Sequence, residues 1–262
     1  MMRGLIAAFQ FLTRLPMPTL VGYSEADTRD AAHWYTTVGI VVGVLVAFAM
    51  LAGLFAASSS GNAAGQMSPW VGGLCGLAVW VIVTGALHLD GVADTADGLA
   101  AAHGDPDRFT QVAREPQVGA FALVAVLLLL LAKLVLLAAL LARGIGGAAV
   151  GEGVGEVLAG VALVPAWARL GPLVWRAFVP PLGTGRGQAF AATHAPAPLW
   201  INAIGLSIGA VFIAPVLLVG AVLIPLVGLY FRRRLGGMSG DCYGAGIEVM
   251  EVALLAALVC AP

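Results

Sequence analysis

Not one Asp, Glu, Lys or Arg interrupts the chain between Thr36 and Ala57, and the same holds from Pro69 to Leu87 and from Leu199 to Tyr230. A single helix needs only about 20 apolar residues to cross a bilayer, so these runs dictate membrane spans. Composition agrees. The chain has 262 residues, is 60% hydrophobic and 10% charged, and has a mean hydropathy of +0.97, whereas soluble domains carry about 25% charged residues. No water-soluble core could hide this much apolar surface. The expected fold is an all-α, polytopic membrane bundle forming one membrane-embedded domain over 1–262. With a net charge of −1, nothing favours nucleic acid as a partner. Cys75, Cys242 and Cys260 show no paired spacing and read as free thiols.

The expected spans are Thr36–Ala57, Pro69–Leu87, Val118–Leu141, Glu156–Trp175 and Gly244–Val259. Leu199–Tyr230 is too long for one crossing and reads as a hairpin that breaks between Gly209 and Pro215. That gives about seven spans, with six as the alternative. Gly4–Leu15 reads as a short amphipathic helix on the membrane surface, ended by Pro16 and Pro18. Residues 19–35 read as a polar loop, and 89–117 and 176–198 as long polar segments. With seven spans and the N-terminus inside, only Arg143 among the cations falls in an outside loop, the positive-inside pattern of a cytoplasmic membrane protein.

The second span runs straight into His88-Leu89-Asp90-Gly91-Val92-Ala93-Asp94-Thr95-Ala96-Asp97-Gly98. On a helix Asp90, Asp94 and Asp97 fall at i, i+4 and i+7, on one face. Carboxylates so close repel one another, and a divalent cation resolves the repulsion. Oxygen-only ligands point to Mg²⁺ or Mn²⁺. Gly91 and Gly98 let backbone or ligand approach. His88 reads as a hydrogen-bonding neighbour.

A second glycine-rich turn, Gly236-Gly237-Met238-Ser239-Gly240-Asp241, leads into the last span with Glu248 and Glu251. The Arg232-Arg233-Arg234 triplet before it is either a phosphate clamp or a topology anchor. Arg114-Glu115 stands at the mouth of the third span, and Arg169 inside the fourth needs a partner or a polar cavity. Arg186 lies in a loop, Gly183-Thr184-Gly185-Arg186-Gly187-Gln188, that could approach a phosphate. Lys133 and Glu156 read as structural. There is no nucleophile elbow, no Walker loop and no dinucleotide fingerprint. Carboxylates, arginines and glycines on one membrane face suit phosphoryl-type transfer.

Phe9-Gln10-Phe11-Leu12-Thr13-Arg14-Leu15-Pro16-Met17-Pro18, the string His88 to Gly98, and Leu235-Gly236-Gly237-Met238-Ser239-Gly240-Asp241 with Gly244, Glu248 and Glu251 resemble the cobalamin synthase family almost end to end. The resemblance implies adenosylcobinamide-GDP ribazoletransferase activity: adenosylcobinamide-GDP is joined to α-ribazole or its 5′-phosphate, and GMP leaves. It implies Mg²⁺ held by Asp90, Asp94 and Asp97 with Glu115, and the three aspartates as the catalytic set. Substrate contacts are expected from His88, Arg114, Arg169, Arg186, Arg234, Asp241, Glu248 and Glu251. Beyond the substrates, membrane lipid is the expected partner, with a homo-oligomer or a complex with other enzymes of the pathway left open. Two departures stand out. The family has Arg/Lys-Asp-Ser before the third span, where this chain has Arg114-Glu115-Pro116; either Glu115 replaces a ligand with a longer carboxylate, or the local geometry differs. The similar Asp-x-x-Asp-Gly of CDP-alcohol phosphotransferases is followed by an Arg, where this chain has Ala102. Phospholipid synthesis by such an enzyme, and cation or proton transport, are the alternatives.

Overall fold

The computed structural model describes residues 2–58, 62–146, 153–182 and 196–261. They form eleven α-helices: α1 (Met2–Leu12), α2 (Glu25–Ala31), α3 (Tyr35–Ser58), α4 (Asn62–Thr84), α5 (Leu87–Ala102), α6 (Pro106–Val112), α7 (Ala120–Gly146), α8 (Val154–Phe178), α9 (Pro196–Ile213), α10 (Gly220–Leu235) and α11 (Gly240–Cys260). There is no strand among the described residues. The all-α membrane bundle expected from the sequence is what the chain forms.

Five segments are long and apolar enough to cross a bilayer, or six when α4 and α5 are counted as one bent crossing. The seventh expected span corresponds to the shorter apolar helix Leu199–Ile213. Its break comes at Ala214, followed by a 3₁₀ turn over Pro215–Val219, at the end of the window expected for the hairpin. Pro215 has no N–H to continue α9, so the chain must turn there.

α8 is the centre of the bundle, buried along most of its length, while α7 turns Phe121, Leu123, Leu127, Leu128 and Leu131 outward. Lipid tails are as apolar as leucine, so close backbone packing must hold helices together. It does so between α3 and α8. A methyl group on Gly39 would collide with the Ala166 backbone, and one on Gly43 with the Ala162 carbonyl. Small residues four apart on both helices thus set their separation.

Two expectations need correction. Residues 19–35 are not loop throughout: Ser24 and Asp27 form a capping box that starts α2, and a 3₁₀ turn over Ala32–Trp34 carries the chain into α3. The Ser-x-x-Asp spacing was the missed signal. Asp27 also accepts from Arg3 Nε at 2.8 Å, which ties α2 to α1. The second span, moreover, does not continue straight into the acidic string. Gly85 (φ +62°) and Ala86 (φ +56°) are both left-handed, and α5 leaves at 86° to α4. A left-handed alanine costs roughly 1–2 kcal/mol. Backbone bonds hold the bend: Gly85 N–H donates to Ile82, Ala86 N–H to Val81, and Arg14 N–H, from the segment after α1, to Val83 at 2.7 Å. α5 therefore lies across the end of the bundle.

Gly43→Val should separate α3 from α8. Overpacking of this kind costs about 1–3 kcal/mol, and a thermal denaturation series in detergent should show a lowered midpoint relative to a lipid-facing control such as Leu128→Val.

Candidate active site

The face of α5 that carries His88 and Gly91 meets the first turns of α11, and the row of acids runs beside that contact. A methyl on Gly91 would lie 2.7 Å from the Asp241 carbonyl, and one on Gly244 would lie 3.4 Å from His88 Cα. The two helices cross backbone against backbone, and Asp241 joins the α5 acids. Asp90 is exposed in the first turn of α5 and Asp94 is half-buried. Burial, then Asp90, Asp241 and Asp97, push the Asp94 carboxyl up to about 6. Such crowding is the electrostatic condition a cation would relieve.

Asp97 has a second role. Its carboxylate accepts from Gly119 N–H at 2.6 Å and Ala122 N–H at 2.9 Å, so it caps the N-terminus of α7 from a different helix. A carboxylate has about four lone-pair sites, so capping leaves Asp97 capacity toward the cluster. Gly98 brings α6 close, with its Cβ position 2.8 Å from the Phe109 ring.

The structure does not gather every residue the sequence singled out. Arg114 is exposed but within electrostatic reach of Asp241. Glu115 is exposed after α6, and its carboxylate has no partner among the described residues. Arg234 is exposed in the last turn of α10. In the same triplet Arg232 donates to the Phe178 carbonyl at 3.1 Å, so one of the three arginines helps close the end of α8. Arg186 and its glycine-rich loop lie outside the described residues.

Glu248, Glu251 and Arg169 sit deeper, in the bundle interior. Lys133 Nζ donates to Glu248 Oε2 at 2.6 Å and to Glu251 Oε2 at 2.5 Å. Arg169 Nη1 donates to Glu251 Oε1 at 3.1 Å and to the Pro165 carbonyl at 3.0 Å. Lys133 also lies over the Trp80 ring, 4.4 Å from its centroid. All four charged side chains are buried, and two cations balance two anions. The partner that Arg169 requires is thus Glu251, and Lys133 is structural as read from the sequence.

A cavity of about 270 Å³ opens beside the acids, between α1, α3, α5, α8 and α11. Phe11, Leu12, Tyr35, Pro172 and Ile247 give it apolar walls, and His88, Asp90 and Asp241 give it a polar side. Burial, with Arg169 and Lys133 nearby, holds the His88 imidazole neutral. Tyr35 and Tyr243, which line the cavity, and Arg176, which interacts electrostatically with both phenols, do not stand out in the sequence. A signal existed for Arg176: it stands seven residues after Arg169 on one face of an apolar helix, where a cation is rarely idle.

Among the described residues, no three His, Cys, Asp or Glu side chains converge closely enough to form a ready metal cage. The donors nonetheless fit Mg²⁺, which takes one or two carboxylates and fills its other positions with water and substrate phosphate. Asp90 and Asp241 line one cavity, and Asp94 stands within electrostatic reach of both.

A family model described as Cobalamin-5-phosphate synthase matches residues 4–259. The chain belongs to that family. It is 41% identical over 255 residues to the adenosylcobinamide-GDP ribazoletransferase of Thiobacillus denitrificans, covering 97% of this chain and 94% of the relative. Identity to the protein of the same name from Novosphingobium aromaticivorans is 43% over 260 residues, covering 97% and 95%. For that of Laribacter hongkongensis it is 42% over 254 residues, covering 97% and 95%. No solved structure matches the chain. Family membership thus spans both the α5 string and the α11 turn that meets it.

Lys133→Met should be severely destabilising, because it strands the buried Glu248 and Glu251 carboxylates. Breaking such a pair from one side costs about 3–5 kcal/mol. Denaturation in detergent should show a large loss, partly recovered in a Lys133→Met/Glu248→Gln double variant; an unchanged midpoint for the single variant would sink this account.

Proposed function

We propose that the protein joins adenosylcobinamide-GDP to α-ribazole or its 5′-phosphate and releases GMP. The observation that carries the reading is family membership over nearly the whole chain, together with the meeting of the α5 and α11 motifs at one carboxylate-lined gap. The match gives no support to phospholipid synthesis or to ion transport.

In this reading the diphosphate lies against Asp90, Asp94 and Asp241. The 3′-hydroxyl oxygen of α-ribazole attacks the cobinamide-side phosphorus in line. A new P–O bond forms, the bond to the GMP oxygen breaks, and GMP leaves with the electron pair. The hydroxyl proton passes to a carboxylate of the cluster. Mg²⁺ bound by these carboxylates would neutralise the diphosphate charge and orient it. Arg114, exposed within electrostatic reach of the cluster, supplies a cation for phosphate oxygens, with Arg234 at the end of α10 as a second. Asp97 fixes α7 against α5 and so holds the row of acids in place.

The localisation follows the same logic. The ends of α4, α8 and α10 and the starts of α3, α7 and α11 share the site's side of the bundle. Arg3, Arg14, Arg108, Arg114 and the 232–234 triplet belong to segments on that side, while Arg143 is at the opposite end, donating to the last carbonyls of α11. By the positive-inside rule, the site faces the cytoplasm from the bacterial cytoplasmic membrane.

Asp94→Asn should keep the fold, because the side chain is half-buried and makes no capping bond, but should lower Mg²⁺-dependent GMP release about 10²-fold or more. Comparing purified wild type and variant with both substrates checks this, with monodispersity in detergent reporting the fold. Near-normal turnover would remove Asp94 from the mechanism.

A further inference from the structure

The cavity beside Asp90 and Asp241 has features that the phosphoryl chemistry does not require. Its volume of about 270 Å³ is slightly below the roughly 300–1,000 Å³ of pockets that enclose drug-sized ligands. A corrin macrocycle does not fit such a space; a bicyclic aromatic ring does. The walls are apolar and partly aromatic: Phe11 from α1, Tyr35 at the start of α3, Pro172 from α8 and Ile247 from α11. Phe11 and Tyr35 are stacked, 18° apart with centroids at 6.3 Å, and give the cavity an aromatic side. Carboxylates occupy only the side toward the α5–α11 gap.

His88 is 3% exposed, lines this cavity, and its Nδ1 has no hydrogen-bond partner among the described residues. A buried polar atom left unpaired costs roughly 1–3 kcal/mol, so a ligand atom that pairs with this imidazole would recover that cost. The ligand that matches has a flat apolar body, one ring nitrogen able to pair with an imidazole, and a polar arm that leaves toward Asp90 and Asp241. That is a nucleoside with a heteroaromatic base.

We infer that this cavity seats the base of α-ribazole, with His88 Nδ1 on the base's ring nitrogen and Phe11 and Tyr35 against its face. This rests on the reaction proposed above, because that reaction supplies the nucleoside. Seated so, the ribose emerges beside Asp90 and Asp241, where its hydroxyl meets the diphosphate. The N-terminal helix thereby becomes part of the site. α1 closes the wall of the acceptor pocket, with its Phe11-Leu12 pair on the lining. The corrin and guanosine parts of the other substrate must bind elsewhere.

The test uses the full-length protein in detergent or nanodiscs. Binding of α-ribazole alone is measured by calorimetry, with benzimidazole and ribose 5-phosphate as competitors, and KM for each substrate is measured from GMP release. Benzimidazole should compete and ribose 5-phosphate should not. Phe11→Trp, which fills the cavity from a half-exposed position, and His88→Asn should each weaken α-ribazole binding and raise its KM about tenfold or more, while KM for adenosylcobinamide-GDP stays within about threefold. Competition by ribose 5-phosphate but not by benzimidazole would overturn the assignment, as would a rise in KM confined to adenosylcobinamide-GDP. Because binding is read without the GDP substrate, base-dependent binding without GMP release would sink the reaction and leave the pocket standing. Release of GMP with unaltered α-ribazole binding in both variants would do the reverse.

Discussion

Two cations and two carboxylates inside a membrane bundle have to find one another, and the placement of the site depends on how they do. Isolated, each would be costly at that depth. Lys133 from α7 and Arg169 from α8 converge on Glu248 and Glu251 of α11, and Trp80 of α4 covers the lysine. The cluster is neutral overall, and it joins the three helices at a fixed depth. Asp241 precedes Glu248 by two helical turns, about 10 Å along the axis. Once Glu248 is held, the first turn of α11 is held at the edge of the bundle, where α5 crosses it. The buried charges thus fix the position of the helix that carries Asp241.

The second constraint is backbone proximity. α5 can approach α11 this closely only where a side chain is missing, and Gly91 provides the gap. The bend at Gly85–Ala86 supplies the direction. Without it α5 would extend from the end of α4 into water. With it, the helix lies across the bundle end, its acid row runs beside the contact with the start of α11, and the end of α1 closes the cavity from the other side. The Asp97 cap then locks α7 to the same helix, so α5 is held from three directions. Rigid placement of this kind is what in-line transfer between two bound substrates demands.

Several of these elements were legible in the residues alone. The uncharged runs specify spans because a bilayer leaves an apolar segment few choices. The break near Pro215 follows from a missing N–H. The acid row on one helix face follows from the 3.6-residue period. Other elements were not. The direction of the chain after Thr84 depends on two left-handed residues, and one of them is an alanine, which no composition rule would select. Residues 19–35 looked polar and unstructured because a seven-residue helix has too little periodicity to read, although its capping box was present. Glu248 and Glu251 lie at helical spacing that suits either a ligand site or an ion pair, and spacing cannot tell these apart; the partners come from α7 and α8, far away in sequence.

The order of residues was enough to specify a polytopic helical membrane protein, the family to which it belongs, and the carboxylate-rich strings to which the proposed chemistry is assigned. Those features are local: they rest on hydropathy, helical period and the order of short motifs. Which carboxylates share a gap was settled by the packing of helices. Packing joined Asp241 to Asp90 and Asp94, gave Asp97 to the end of α7, sent Glu248 and Glu251 to the interior cations, and left Glu115 exposed. The physical reason is that charge pairing and backbone approach are made between helices, and the separation between helices is set by where the glycines of one meet the backbone of another.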